Sequence, residues 1–264
     1  MIVALLLFVL LAVSLLANFG QMVSGLARLS PAHVRATGPR LDETLIKDND
    51  SHNKIVVVPI EGVITGSRLD GSGYNLVDVV KEQLRRANED RRVAAVLLKV
   101  DSPGGEVLAS DEIANAIRDF QDKSGKPVVV SMGNLAASGG YYVSAPCRYI
   151  VANDLTITGS IGVIMSGMNY RGLMDKVGLV PQVYKSGKFK DMLSGSRKPE
   201  DISPEEVEMM QKFIAEVYGK FKGVVAAGRK EAHKLNGKDG RELAAEWESY
   251  ADGRVISEIG RAHV

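Results

Sequence analysis

Five short apolar runs rich in valine and isoleucine, IVVVPI, VAAVLLKV, PVVVSM, RYIVAN and IGVIM, alternate with segments of helical pattern such as Leu76 to Asn88 and Ser110 to Gln121. Runs of this length with little polar alternation fit strands buried on both faces, and strands separated by helices fit parallel crossovers. The chain is therefore expected to be α/β, built on a largely parallel sheet. At 264 residues and 45% hydrophobic it can bury a full single-domain core, and its net charge of +1 gives no electrostatic case for nucleic acid. Later in the chain, Ser203-Pro204-Glu205-Glu206 is a capping box with proline at the first helical position. It opens an amphipathic helix with Val207, Met210, Ile214, Val217, Phe221 and Val224 on one stripe.

The N-terminal end has a different character. Met1 to Phe19 is apolar except for Ser14 and Asn18, and no charge precedes Arg28, so the segment is long enough to span a bilayer. Asn18 through Leu26 offers no clean A-x-A cleavage signal, which favours an uncleaved anchor over a removed signal peptide. Residues 1–27 are expected to be a transmembrane signal anchor and residues 28–53, with Pro31, Pro39 and DNDSHN, a polar linker to the domain.

Chemistry is signalled by a serine and a lysine in glycine-framed segments, Ser138 in GNLAASGGYY and Lys190 in YKSGKFKD. His33 and His52 fall before the first strand and His233 and His263 near the C-terminus, so a serine hydrolase here needs lysine as its base. A serine hydroxyl is nearly inert until a neighbour takes its proton, and a lysine can do so only once desolvated. Serine with lysine is a known variant of the triad.

Two glycines follow Ser138 and YYVSAP continues in a helical pattern, which places the serine at a tight turn entering a helix. A Gly/Ala-rich packing turn is the competing reading. The second glycine pair, Gly104 and Gly105 in DSPGGEV, follows the VAAVLLKV strand, with Ser110 expected as the N-cap of the next helix. Glycine there lets the backbone approach closely, so an amide could complete an oxyanion hole with Gly139; a type II turn gives the same pattern.

Taken in order, IVVVPIEGVI, VDSPGGEV, GNLAASGGYYVSA, ANDLTITGSIGVI and YKSGKFKD resemble the short, single-repeat bacterial form of the signal peptide peptidase A family, over about Ile55 to Ser257. The resemblance implies a peptidase domain over residues 54–257 with the spiral of ββα units shared by Clp proteases and crotonases. It implies Ser138 as nucleophile, Lys190 as general base, Ser160 orienting the lysine amine, and oxyanion amides from Gly105 and Gly139. Lys188 is the rival base, because KFK would put both lysines on one face of an extended segment; the family pattern favours the lysine directly before Asp191. The resemblance further implies a ring-like homo-oligomer with the dyad shared between subunits. In such a ring the late-helix stripe meets a neighbour, whereas packing inside its own domain explains the same stripe.

The expected reaction is hydrolysis of short hydrophobic peptides, the remnants of cleaved signal peptides, near the membrane lipid, with no cofactor and no metal, since no His/Cys/Asp cluster has ligand spacing. A membrane protease of the stomatin-partner type and a non-proteolytic crotonase-like acyl-thioester binder are the alternatives. The family places its domain on the extracytoplasmic side, although Arg28, Arg35 and Arg40 on the domain side of the anchor run against the positive-inside rule. Cys147 is expected to be a buried packing thiol, Asp101 to cap the PGG turn, Asp191 to form a surface ion pair, and Gly71 to Gly73 to be a turn. The final EIGRAHV coincides with a reading frame of a common sequencing adapter, so residues 258–264 are expected to be a non-native or truncated tail.

Overall fold

The computed structural model describes residues 38–68 and 73–257, with positions 11, 13–16 and 19. The anchor expected over 1–27 lies almost wholly outside the described residues, as do the tail at 258–264 and the first two residues of the Gly71 turn. Among the described residues, no helix is long and apolar enough to cross a membrane.

The fold is mixed α/β around a six-stranded, mostly parallel sheet. Strands β1 (Lys54–Ile64), β2 (Val93–Gly105) and β3 (Val128–Ala137) pair in parallel, β4 (Tyr149–Val151) and β5 (Ile157–Gly159) both join β3, and β6 (Val255–Ser257) runs antiparallel to β5. Val58, Ile60, Val96, Leu98, Val100, Val128 and Val130 are fully buried, but they alternate with exposed or half-buried positions such as Ile55, Ala94 and Leu97, so within one chain the strands bury one face and not the expected two.

Helix α1 (Leu76–Glu89) starts at a capping box of Asn75 and Asp78 and turns Val77, Val80, Leu84 and Ala87 to the core. Helix α2 (Val107–Ser124) ends at Gly125, whose φ of 69° suits the left-handed C-cap. Helix α3 (Gly139–Ser144) is short and entirely buried. Residues 39–43 of the expected linker are held against α1 and β1: Arg86 donates to the carbonyls of Leu41 and Pro39, and Lys54 pairs with Glu43 at 2.6 Å.

Several expectations are corrected. The IGVIM run is not a strand; only Ile161 within it is buried, and pairing stops at Gly159. Ser110 is not an N-cap, because α2 begins three residues earlier with Glu106 at the cap, and the Ser110 hydroxyl donates to the Glu106 carbonyl at 2.9 Å. Strand β2 does not stop before the glycines but runs through DSPGG to Gly105, with Ile64 of β1 beside Gly105. Asp101 caps no turn: its carboxylate accepts from the Leu135 amide on β3, while the Ser102 hydroxyl accepts from the Gly104 amide.

From Gly162 to Ile202 the chain forms an arm whose single α-helix, α4 (Arg171–Lys176), buries no residue. Ile164, Met168, Val180 and Tyr184 are 76–92% exposed. Ion pairs organise the arm locally, with Lys185 to Asp191 at 2.7 Å and Arg197 to Glu206 at 2.9 Å. The latter joins it to α5 (Pro204–Asn236), which opens on the expected Ser203/Glu206 capping box. The α5 stripe divides: Phe221 and Val224 are buried against the domain, while Val207 stays half exposed.

Candidate active site

The sheet delivers two backbone segments to one place. Strand β3 ends at Ala137, and Ser138 turns the chain into α3 with φ 52° and ψ −120°, a conformation costly for a residue with a β-carbon. Two hydrogen bonds hold the turn: the Ser138 amide donates to the Gly159 carbonyl at 2.9 Å, and the Ser138 carbonyl accepts from the Tyr142 amide at 2.8 Å. A strained serine at a strand-to-helix turn projects its hydroxyl away from both elements, which suits a nucleophile.

The end of β2 lies directly against this turn. A β-carbon on Gly104, which has φ 96°, would sit 2.5 Å from the Gly139 nitrogen and 2.8 Å from Ser138 Cβ. One on Gly139 would meet Ser110 Oγ at 2.5 Å and the Gly105 nitrogen at 3.2 Å. Glycine is therefore required for the Gly105 and Gly139 backbones to come together beside the serine. The loop after β1 is clamped to the same segment, since Glu106 accepts from the Thr65 hydroxyl at 2.5 Å and the Gly66 amide at 2.9 Å. Those two donors hold the Glu106 carboxyl below its ordinary range.

Ser138, Gly105 and Gly139 line a cavity of about 30 Å³, closed on its apolar side by Val163, Val217 and Phe221. Helix α5 also contributes Lys220, whose ammonium donates to Asp111 Oδ2 at 2.6 Å, and the Tyr142 hydroxyl donates to Asp111 Oδ1 at 2.7 Å. Burial acts to raise the Asp111 carboxyl, but Lys220 and Tyr142 outweigh it and hold it below its ordinary value. Burial, and then the Asp111 charge, push the Tyr142 hydroxyl well above its own. The motif reading missed Asp111, Tyr142 and Lys220. The last two had a spacing signal: Tyr142 stands one helical turn after Ser138, and Lys220 lies between Val217 and Phe221 on α5.

Ser160 is tied to the site through its neighbour, because Gly159 accepts from the Ser138 amide; it too has a positive φ, 50°, and its amide donates to the Arg254 carbonyl. Lys190 is not among the residues lining the Ser138 cavity. It sits on the arm in a succession of turns, its amide donating to the Gly187 carbonyl, so the extended KFK segment is not formed. Lys188 is engaged with Glu205 at 2.5 Å and lies over the Phe189 ring. The exposed Lys190 amine and the hydroxyls of Ser138 and Ser160 have no hydrogen-bond or ion-pair partner among the described residues. Asp191 forms the expected surface pair, and Lys185 holds its carboxyl below the usual range. Cys147 is the expected buried thiol, pushed upward by burial. Among the described residues, no group of three or more His, Cys, Asp and Glu side chains could hold a metal ion.

Peptidase family S49 matches residues 120–246. An Enterococcus faecium protein named as a signal peptide peptidase SppA is 42% identical over 193 residues, which cover 72% of this chain and 55% of that relative. A Synechocystis sp. protein named as a protease is 41% identical over 195 residues, 74% of this chain and 62% of that relative. Protease 4 of Haemophilus influenzae is 37% identical over 67% of this chain and 28% of its own length. The chain thus spans little more than half the length of the first two of these relatives. A solved mutant of the 1510-N membrane-bound stomatin-specific protease is 22% identical over 48% of this chain and 66% of its own, with a TM-score of 0.35, too low to bear on fold or function. Since the match runs across the segment carrying Ser138, Ser160 and Lys190, and relatives at 37% to 42% identity are named as peptidases, the chain carries a peptidase family S49 domain.

Proposed function

We propose that the protein is a membrane-anchored serine peptidase that hydrolyses short hydrophobic peptides, including remnants of cleaved signal peptides, with Ser138 as nucleophile and Lys190 as general base. The observation that carries this reading is the strained Ser138 turn packed against Gly104, with the Gly105 and Gly139 backbones beside a hydroxyl that has no partner within the described residues. Neutral Lys190 takes the Ser138 proton, the alkoxide attacks the peptide carbonyl, and the Gly105 and Gly139 amides receive the oxyanion. The amine leaves with a proton from Lys190, and water then releases the acyl group. Ser160 orients the lysine.

A lysine acts as base only when withdrawn from water. In the single chain Lys190 is exposed, on an arm whose large apolar side chains are also exposed, and burial of that arm against a second copy would desolvate both together. The working site in this reading is shared: Ser138 of one subunit meets Lys190 of the next in a closed homo-oligomer. The fold is proposed to be the Clp/crotonase-type spiral of ββα units over 54–257, joined by the linker at 28–53 to a transmembrane anchor at 1–27, with the domain on the extracytoplasmic side. The hydrophobic run of 1–19 and its likeness in composition to a bilayer-spanning segment support the anchor.

The test is covalent labelling with a fluorophosphonate. The assembled wild type is expected to be labelled and Ser138→Ala is not; equal labelling of the two would remove Ser138 from the mechanism and reopen the acyl-thioester alternative.

A further inference from the structure

The wall of the Ser138 cavity carries an ion pair that the proposed acylation does not use. Lys220 reaches from α5 to Asp111 on α2, and Asp111 also accepts from Tyr142, one helical turn beyond Ser138. Lys220 and Tyr142 line the cavity, while Asp111 lies behind them with only 9% of its surface exposed. Val107, Val163, Val217 and Phe221 give the wall its apolar part, and Ser110 lies beside the glycines. Tyr142 and Phe221 pack with ring centroids 4.9 Å apart, which holds α5, and with it Lys220, against α3.

We propose that the Lys220–Asp111 pair determines which side chain the peptidase accepts next to the bond it cuts, by cancelling the charge at the wall of the cavity beside Ser138. The inference rests on Ser138 being the attacking group. The residue whose carbonyl sits between Ser138 and the Gly105 and Gly139 amides must place its side chain in the adjoining space, and that space is this cavity. While the ammonium and the carboxylate neutralise one another, a small apolar side chain meets a neutral wall and a charged one finds no unpaired counter-ion. Removing either member leaves the other unpaired next to the substrate, and the two removals have opposite signs. Lys220→Ala exposes a carboxylate and clears the path to it, so a basic side chain can take the place of the missing ammonium. Asp111→Asn frees the ammonium of Lys220 and favours an acidic one.

The experiment uses the full assembled chain and three fluorogenic peptides that differ only in the residue on the acyl side of the scissile bond: alanine, lysine or glutamate. Each kcat/KM is divided by the value for the alanine peptide from the same preparation, so partial loss of folded enzyme cancels. Lys220→Ala is expected to raise the lysine-to-alanine ratio by about threefold or more, and Asp111→Asn to raise the glutamate-to-alanine ratio by a similar factor, the size suited to a pair whose lysine is half exposed. Lys220→Arg is expected to keep the wild-type ratios. If both variants lose activity equally on all three peptides, the pair only braces α5 against α2 and the inference is overturned. A wild type that is active with ratios unchanged in the variants overturns the inference alone; a wild type inert on every peptide and unlabelled at Ser138 overturns the underlying reading and the inference with it.

Discussion

The sheet and the arm use apolar residues in opposite ways. Between Lys54 and Ser160, Val96, Leu98 and Val100 are fully withdrawn from water, whereas between Gly162 and Ile202, Ile164 and Tyr184 are 90% and 92% exposed. The first region is complete within one chain and fixes Ser138 against Gly104. The second holds itself together with ion pairs and leaves large apolar side chains facing outward, an arrangement that marks a contact surface. The proposed nucleophile, Ser138, and the proposed base, Lys190, fall on opposite sides of this division. In the proposed assembly each subunit would hold a preformed half-site around Ser138, and the neighbour would bring Lys190.

The sharpest way to break this division is to remove one group from each side. Ser138→Ala is expected to cost on the order of 10⁴-fold or more in kcat/KM, in line with loss of a hydrolase nucleophile. Lys190→Ala is expected to lose at least about a hundredfold in acylation while Lys188→Ala loses much less. Pre-steady-state acylation rates check both, and the reverse ranking of the lysines would overturn the assignment. Since the Lys190 amine has no hydrogen-bond or ion-pair partner among the described residues, its loss should leave the thermal unfolding of the domain unchanged.

Stability separates the two regions next. Leu98→Ala, at a fully buried strand position, is expected to cost about 2–5 kcal/mol in denaturant unfolding. Val180→Ala, at a position 76% exposed, should change domain stability by no more than about 0.5 kcal/mol yet weaken assembly in sedimentation measurements. A destabilising Val180 variant with intact assembly would place the arm inside the domain core.

The smallest effect is an acid titration of the packed half. Arg85, and with it Arg86, holds the Glu82 carboxyl down to about 2 against the effect of burial. With the folded value below the unfolded one, the stabilisation is fully present above the ordinary carboxylate range and is lost as pH falls toward 2. Unfolding free energies measured across that window should fall more steeply for the wild type than for Glu82→Gln, and equal slopes would show that Glu82 is not held in this way.

What could be read from the sequence follows the same division. The runs of β1, β2 and β3 announced themselves by their valine and isoleucine content, although within one chain full burial falls only on alternate residues such as Val96, Leu98 and Val100; the Ser203 capping box located the start of α5 because a cap is a local chemical pattern. The glycines around Ser138 were legible for the same reason: a close backbone approach demands them. IGVIM misled because its apolar content resembles a strand, whereas Ile161 alone is buried, Val163 lines the Ser138 cavity and Ile164 faces outward on the arm. The Lys220–Asp111 pair was invisible, since the two residues are 109 positions apart and meet only through the packing of α5 on α2.

The most direct test of a base delivered by the neighbouring subunit is complementation. Ser138→Ala and Lys190→Ala, each inactive alone, are dissociated, mixed in equal amounts and reassembled, and peptide hydrolysis is measured. In a closed ring with random order, about one site in four then pairs an intact Ser138 with an intact Lys190 across an interface, so activity should return to roughly a quarter of the wild type. A mixture that stays as inactive as its two components would mean that both groups must belong to one chain, and would contradict the account.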